Sequence, residues 1–141
     1  MTGSDFGVRI QHAGIHVKNI EETAKWYHEL FGFEMDPGQQ GGSMAGMFPK
    51  MRWLSLGDFK LEVYEVPDAG DFSAVDLEYT QGVKHLNFAV RDVEGWLAYA
   101  ESRGDVEILV DNDYGHGNRA IYVKDNNGIL VEVTNDPAAR A

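Results

Sequence analysis

His12 and Glu62 stand 50 positions apart in this 141-residue chain, and His85 and Glu132 stand 47 apart. The two pairs lie in matching surroundings: HAGIHV (12–17) returns as HLNFAV (85–90), and LGDFKLEV (56–63) is echoed by DNNGILVEV (125–133). A supersecondary unit that occurs twice, delivering one imidazole and one carboxylate each time, can set four ligands about a pseudo-twofold axis. Two neutral imidazoles and two carboxylates form a charge-neutral site with a divalent ion. This donor set suits one Ni²⁺, Zn²⁺, Co²⁺, Fe²⁺ or Mn²⁺ better than Ca²⁺. Four protein ligands leave two positions on an octahedral ion, for waters or for two neighbouring oxygens of a substrate. Polarising a carbonyl there acidifies the adjacent C–H and stabilises an enediolate. Proton transfer is then the natural reaction, with a ligand carboxylate that loosens from the ion, Glu132 or Glu62, as the base.

Such ligands have to be carried on strands. Alternation over 9–17 places His12, Gly14 and His16 on one face and Ala13, Ile15 and Val17 on the other. Sorted likewise, the first face also collects Lys60, Glu62 and Tyr64; His85, Asn87 and Ala89; and Leu130, Glu132 and Thr134. The opposite face is apolar and must meet helices. Alternation alone also describes an antiparallel sheet with one wet side; the repetition of His then Glu in both halves is what points beyond it. The first helix is predicted from its cap, Asn19, with Glu22 three residues on, through Ile20, Ala24, Tyr27 and Leu30 to Gly32. Asp92 caps a second, whose stripe is Val93, Trp96, Leu97 and Ala100 and whose stop is Gly104. The pairs Trp26/Tyr27 and Trp96/Tyr99 read as core, and His28 as helix surface. Further strands are predicted at 51–56 and 59–66, turning at Gly57-Asp58, and at 83–91, 106–110, 118–124 and 129–134, the last two joined by DNNG. Each half thus reads β-α-β-β with room for a further strand.

Composition sets the wider limits. The chain is 43% apolar and 11% aromatic, as expected of one globular domain with two modules, about 8–66 and 83–136. It has no cysteine, which leaves any metal to N and O donors. A net charge of −11 repels phosphate backbones and anionic headgroups, so a small molecule is the expected partner, with no nucleic acid and no membrane. MTGSDFG has neither a basic start nor an apolar run, and a cytoplasmic location is expected. The Gly- and Pro-rich stretch 36–49 reads as a loop, either a lid or a cover over the core, and 67–82 as a connector. His16, roughly 13 Å along the strand from His12, is either a substrate contact or plain polar lining. Tyr64, Asn87 and Tyr122 are candidates to orient a polar substrate, as is Arg119 in the Gly-punctuated DYGHGNR.

The stretches HAGIHVKNIEETAKWYHELFGFE, LGDFKLEVYE, KHLNFAVRDVEGWLAYAESRG and VKDNNGILVEV resemble the two modules of the vicinal oxygen chelate superfamily. That group contains glyoxalase I, methylmalonyl-CoA epimerase, extradiol dioxygenases and the fosfomycin and bleomycin resistance proteins. The resemblance runs from about Ile10 to Thr134. It implies an α+β fold in which paired β-α-β-β-β modules form a cupped mixed sheet around one metal, with His12, Glu62, His85 and Glu132 on the ligand positions. It also implies a homodimer. The order His, Glu, His, Glu is most similar to glyoxalase I, and so to a lyase or isomerase. An Fe(II)-dependent extradiol-type dioxygenase is the alternative, and a non-catalytic drug-sequestering protein a further one. His16 stands where bacterial glyoxalase I carries a glutathione-binding Arg, and Val66 where it carries an Asn, so the chain departs from the family pattern at both positions.

Overall fold

A computed structural model describes residues 2–38, 44, 46–48, 50–70, 81–136 and 138. The chain divides into two compact units, Met1–Ala69 and Gly70–Ala141. Among the described residues no helix is long and apolar enough to cross a membrane.

In the amino-terminal unit a short 3-10 turn, Gly3–Phe6, precedes β1 (His12–Val17), α1 (Ile20–Phe31), β2 (Glu34–Met35), β3 (Met51–Leu56) and β4 (Phe59–Glu65). The sheet order is β1-β4-β3-β2, with β1 parallel to β4 and the other pairs antiparallel. α1 begins where the Asn19 side chain accepts the Glu22 N–H, at 3.0 Å, with Glu21 and Glu22 against the positive end of the helix dipole. It ends where Gly32 adopts a left-handed φ of 78° and donates its N–H to His28 O. Ile20, Thr23, Ala24, Trp26, Tyr27 and Leu30 form its buried stripe, and the helix packs on β3 and β4. Opposite them Ile15, Val17, Leu54, Leu61 and Val63 are buried, so the apolar strand face does meet a helix.

The carboxy-terminal unit repeats this plan with β5 (Leu86–Val90), α2 (Val93–Arg103), β6 (Ile108–Gly115), β7 (Asn118–Lys124) and β8 (Leu130–Asn135). Its order is β5-β8-β7-β6, with β5 parallel to β8. Asp92 caps α2 by accepting the Gly95 N–H at 2.9 Å. Val93, Trp96, Leu97 and Ala100 are buried in the helix, which packs on β7 and β8. Two four-stranded mixed sheets, each with one helix, make an α+β fold of two β-α-β-β-β modules.

The structure differs from the sequence reading at several places. β2, two residues long, is the further strand for which the pattern left room. β1 begins at His12 rather than at residue 9. β5 begins at Leu86, so His85 sits one residue ahead of its strand. β6 runs well past residue 110, to Gly115, as an edge strand whose exposed residues include Asp111, Asn112 and Asp113 and show no alternation. Tyr99 is 44% exposed and packs against the Arg103 guanidinium instead of the core. Of the loop expected at 36–49, residues 39–43, 45 and 49 lie outside the described residues, as do 71–80 of the expected connector.

Candidate functional site

In the amino-terminal unit the register fixes the neighbours of Glu62. Gly14 pairs with it across β1–β4 and Trp53 across β3–β4, while His12 pairs with Lys60 and His16 with Tyr64. All of these residues share one sheet face. His12 Nε2 lies 3.7 Å from the Glu62 carboxylate, which is beyond a hydrogen bond. The other ring nitrogen, Nδ1, is hydrogen-bonded to Gln11 Oε1. The edge of the imidazole meets Trp53, with ring centroids 5.0 Å apart at 87°. Glu62 is 8% exposed and has no Lys or Arg partner among the described residues. A carboxylate removed from water in that way calls for a cation.

Lys60, on the same face, donates to Asp36 at 2.8 Å, and Ser55 donates to the other Asp36 oxygen at 2.6 Å. The Lys60 bond first and the Ser55 bond second hold the Asp36 carboxyl below its ordinary value.

The carboxy-terminal unit has the same pattern. Asn87 pairs with Glu132 across β5–β8 and Tyr122 across β7–β8. His85 Nε2 is 2.9 Å from Glu132, and the imidazole stands edge-on to Tyr122, centroids 5.4 Å apart at 83°. Burial, and then the charge of Glu132 and a hydrogen bond to it, raise the Tyr122 hydroxyl above its usual pKa. Asn87 shares a 3.3 Å hydrogen bond with Thr134 beside the pair.

Each unit therefore presents one imidazole–carboxylate pair, and within either unit no third His, Asp or Glu among the described residues joins it as a metal-holding group. Donors each about 2.1 Å from a common ion stand roughly 3 to 3.5 Å apart. The gaps of 2.9 and 3.7 Å lie just below and just above that span.

The remaining candidates fall differently. His16 is exposed and packs its ring against Phe48 at 5.0 Å and Tyr64 at 5.8 Å. Tyr64 is 1% exposed, and its hydroxyl accepts the Met44 N–H at 2.9 Å. Buried, it supports the turn that Met44 begins. Arg119 is not brought to this face. Three residues before Tyr122 on β7, it points the other way, its Nη1 donating to both oxygens of Asp111 (2.8 and 2.9 Å), its Nη2 to Asp113 (2.9 Å), and lies 3.9 Å from Glu94 of α2. Its guanidinium is thus engaged by carboxylates, and the Gly punctuation of DYGHGNR marks the β6–β7 hairpin, where His116 has a φ of 56°. The sequence reading missed Trp53. Its signal was an aromatic nine positions before Glu62, matching Tyr122 ten before Glu132.

Residues 9–133 match the family described as Glyoxalase/Bleomycin resistance protein/Dioxygenase superfamily. Among solved structures, the chain is similar to a glyoxalase family protein from Enterococcus faecalis, with 23% identity, 92% of this chain and 99% of that one covered, and a TM-score of 0.70. It is similar also to a glyoxalase/dioxygenase from Nostoc punctiforme (13% identity, 97% and 96% covered, TM-score 0.75). A third is the lactoylglutathione lyase from Agrobacterium tumefaciens (19%, 90% and 92%, TM-score 0.59). At these identities the likeness is one of fold. No curated protein matches the chain in sequence.

Proposed function

The chain belongs to the glyoxalase/bleomycin resistance protein/dioxygenase superfamily, and we propose that it is a divalent-metal-dependent lyase or isomerase of the glyoxalase I type. It moves a proton on a small substrate with adjacent oxygens, and His12, Glu62, His85 and Glu132 are its metal ligands. The observation that supports this most is the repetition of one constellation. In each unit a His, the first residue of β1 or the one just ahead of β5, faces a Glu on the last strand, and an aromatic ring across the ladder stands edge-on to that His.

A divalent ion bound by these residues would supply Lewis acidity, which acidifies a C–H beside a carbonyl. The chain's own groups do the rest. Glu132 or Glu62 takes the proton from one carbon and returns it to its neighbour, which requires hydrogen-bond reach to both. Beside Glu132 stands the Tyr122 hydroxyl, which burial and the Glu132 charge keep protonated and able to donate to it. Asn87, beside Glu132 on the same face, has an amide able to orient a substrate oxygen.

Hydrogen–deuterium exchange tests this reading. Nickel- or zinc-loaded protein is incubated with hydroxyacetone or phenacyl alcohol in deuterated buffer, and loss of the carbinol C–H signal is followed by proton NMR. Exchange well above that of the free metal ion is expected, falling by about 10²-fold or more in Glu132→Gln. Exchange no faster than with the free ion, together with oxygen consumption on catechol by the iron-loaded protein, would replace the lyase reading with a dioxygenase.

A further inference from the structure

The residues ahead of β1 form an arm whose apolar side chains nothing in the chain covers. The start of the arm folds on itself: the Thr2 N–H donates to the Asp5 carboxylate at 2.7 Å, and Gly7, at a left-handed φ of 65°, donates its N–H to Ser4 O at 3.2 Å. Phe6, Val8 and Ile10 then follow at alternate positions and are 72, 76 and 89% exposed, with Arg9 between the last two. Among the described residues 8–11 pair with no strand, and Arg9 has no carboxylate partner. Single exposed apolar residues are ordinary, but a run of them at strand spacing marks a surface meant to be covered.

A free sheet edge of matching character lies in the carboxy-terminal unit. β6 ends its sheet and, among the described residues, pairs only with β7. Val110 stands opposite Tyr122 and Asn112 opposite Ala120, so Val110, Asn112 and, by alternation, Tyr114 share the face that carries Tyr122 and Glu132. Val110 is 39% and Tyr114 68% exposed. On the other face Asp111 and Asp113 hold Arg119, with Glu94 at 3.9 Å from the same guanidinium. One cation among three carboxylates leaves this edge negative. Such an edge discourages indiscriminate strand addition and favours a strand that brings a cation of its own.

We propose that residues 8–11 of a second copy of this chain add to β6 as an antiparallel fifth strand, the two copies exchanging arms about a twofold axis. One register suits both faces at once. It sets Ile10 opposite Val110 and Val8 opposite Asn112, with Phe6 reaching Tyr114, while Arg9 falls opposite Asp111 on the other side. A slip of one residue would put Val8 and Ile10 among the aspartates and Arg9 on the apolar side. The row that runs from Glu132 through Tyr122 to Val110 then ends on Ile10 of the second copy. The exchanged arm thus borders the face that carries Glu132, and the inference stands independently of the metal.

The chain has no cysteine, so single introduced thiols report the contact cleanly. Val8→Cys protein mixed with Asn112→Cys protein and oxidised is expected to give a disulfide-linked dimer holding one chain of each. Its yield should be severalfold above that of Val8→Cys mixed with Asp58→Cys, a control in the exposed β3–β4 turn. Light scattering on the full-length chain should give the mass of two copies. The double variant Val8→Asp/Ile10→Asp, changed only at exposed positions and so expected to keep its circular dichroism, should weaken the dimer by about 10²-fold or more. Arg9→Glu should weaken it on the order of tenfold. A wild type of monomer mass at every concentration, a dimer unmoved in Val8→Asp/Ile10→Asp, or a Val8–Asn112 thiol pair linked no better than the control overturns the arm exchange.

Discussion

In the amino-terminal unit Glu62 faces Trp53 across a ladder and His12 meets that indole edge-on; in the carboxy-terminal unit Glu132 faces Tyr122 and His85 meets that phenol edge-on. What surrounds the pairs is not shared. Gly14 in one unit corresponds to Asn87 in the other, His16 to Ala89, Lys60 to Leu130 and Tyr64 to Thr134. The first pair stands among rings over an open strand, and the second beside an amide and a hydroxyl bonded to each other. Sheet register explains why the donors stay matched while their neighbours differ. Every position on the face is set by alternation, so a neighbour can change without moving the ligand. The two units also close differently: His12 to Glu62 is 3.7 Å, and His85 to Glu132 is 2.9 Å.

The largest expected differences between the units concern the core beneath the ligands. Leu61 and Val131 each precede the ligand Glu, and both are 0% exposed. Leu61→Ala should cost about 2–5 kcal/mol, and Val131→Ala less, since fewer carbons leave; urea denaturation measures both. A reversed order would mean that the amino-terminal core relaxes into the cavity.

Next come the hairpins that deliver the carboxylates. Buried Asp125 accepts the N–H groups of Asn127 and Ile129, both at 2.8 Å, whereas Asp58 in the other hairpin is exposed beside Gly57, whose φ is 56°. Asp125→Ala should cost about 1–3 kcal/mol by leaving those donors unpaired, and Asp58→Ala close to nothing, read from the same denaturation curves.

A smaller effect separates the units by pH. Glu65 accepts the Ile20 N–H at the start of α1, at 3.0 Å, and binds Lys50 at 2.8 Å; the corresponding Asn135 carries no charge and accepts Arg119 N–H. The Ile20 bond first, and Lys50 second, lower the Glu65 pKa below 4.5 in the folded state. The unfolded chain therefore takes up the proton at higher pH than the folded one. The stabilisation is complete above pH 4.5 and is lost as pH falls through the lowered folded value. Glu65→Gln should remove about 1 kcal/mol at neutral pH and flatten the stability profile below pH 4.5, and Asn135→Ala should leave the profile's slope unchanged.

Much of this was legible in the sequence because the signals are periodic. Alternation separated Glu62 from Leu61 and Val63, and the caps Asn19 and Asp92 with the stops Gly32 and Gly104 bounded both helices. Where periodicity fails, so did the reading. β2 has only two residues, too few to alternate, and the edge strand β6 is exposed along most of its length. The loop motif around Arg119 says nothing about which face the following strand presents, and Asp111 and Asp113, which hold its guanidinium, lie on the neighbouring strand. Tyr99 lies off the stripe of Val93, Trp96, Leu97 and Ala100, and its ring is exposed beside Arg103.

On the proposed function, both imidazole–carboxylate pairs are ligands of a divalent metal ion. Elemental analysis of protein purified without chelating resin tests it most directly, on the wild type and on His12→Ala and His85→Ala separately. About one transition metal ion per chain is expected, lost in either variant. No ion, even after reloading with nickel or zinc, or full occupancy retained in both variants, would contradict it and leave the four residues as the lining of a binding surface.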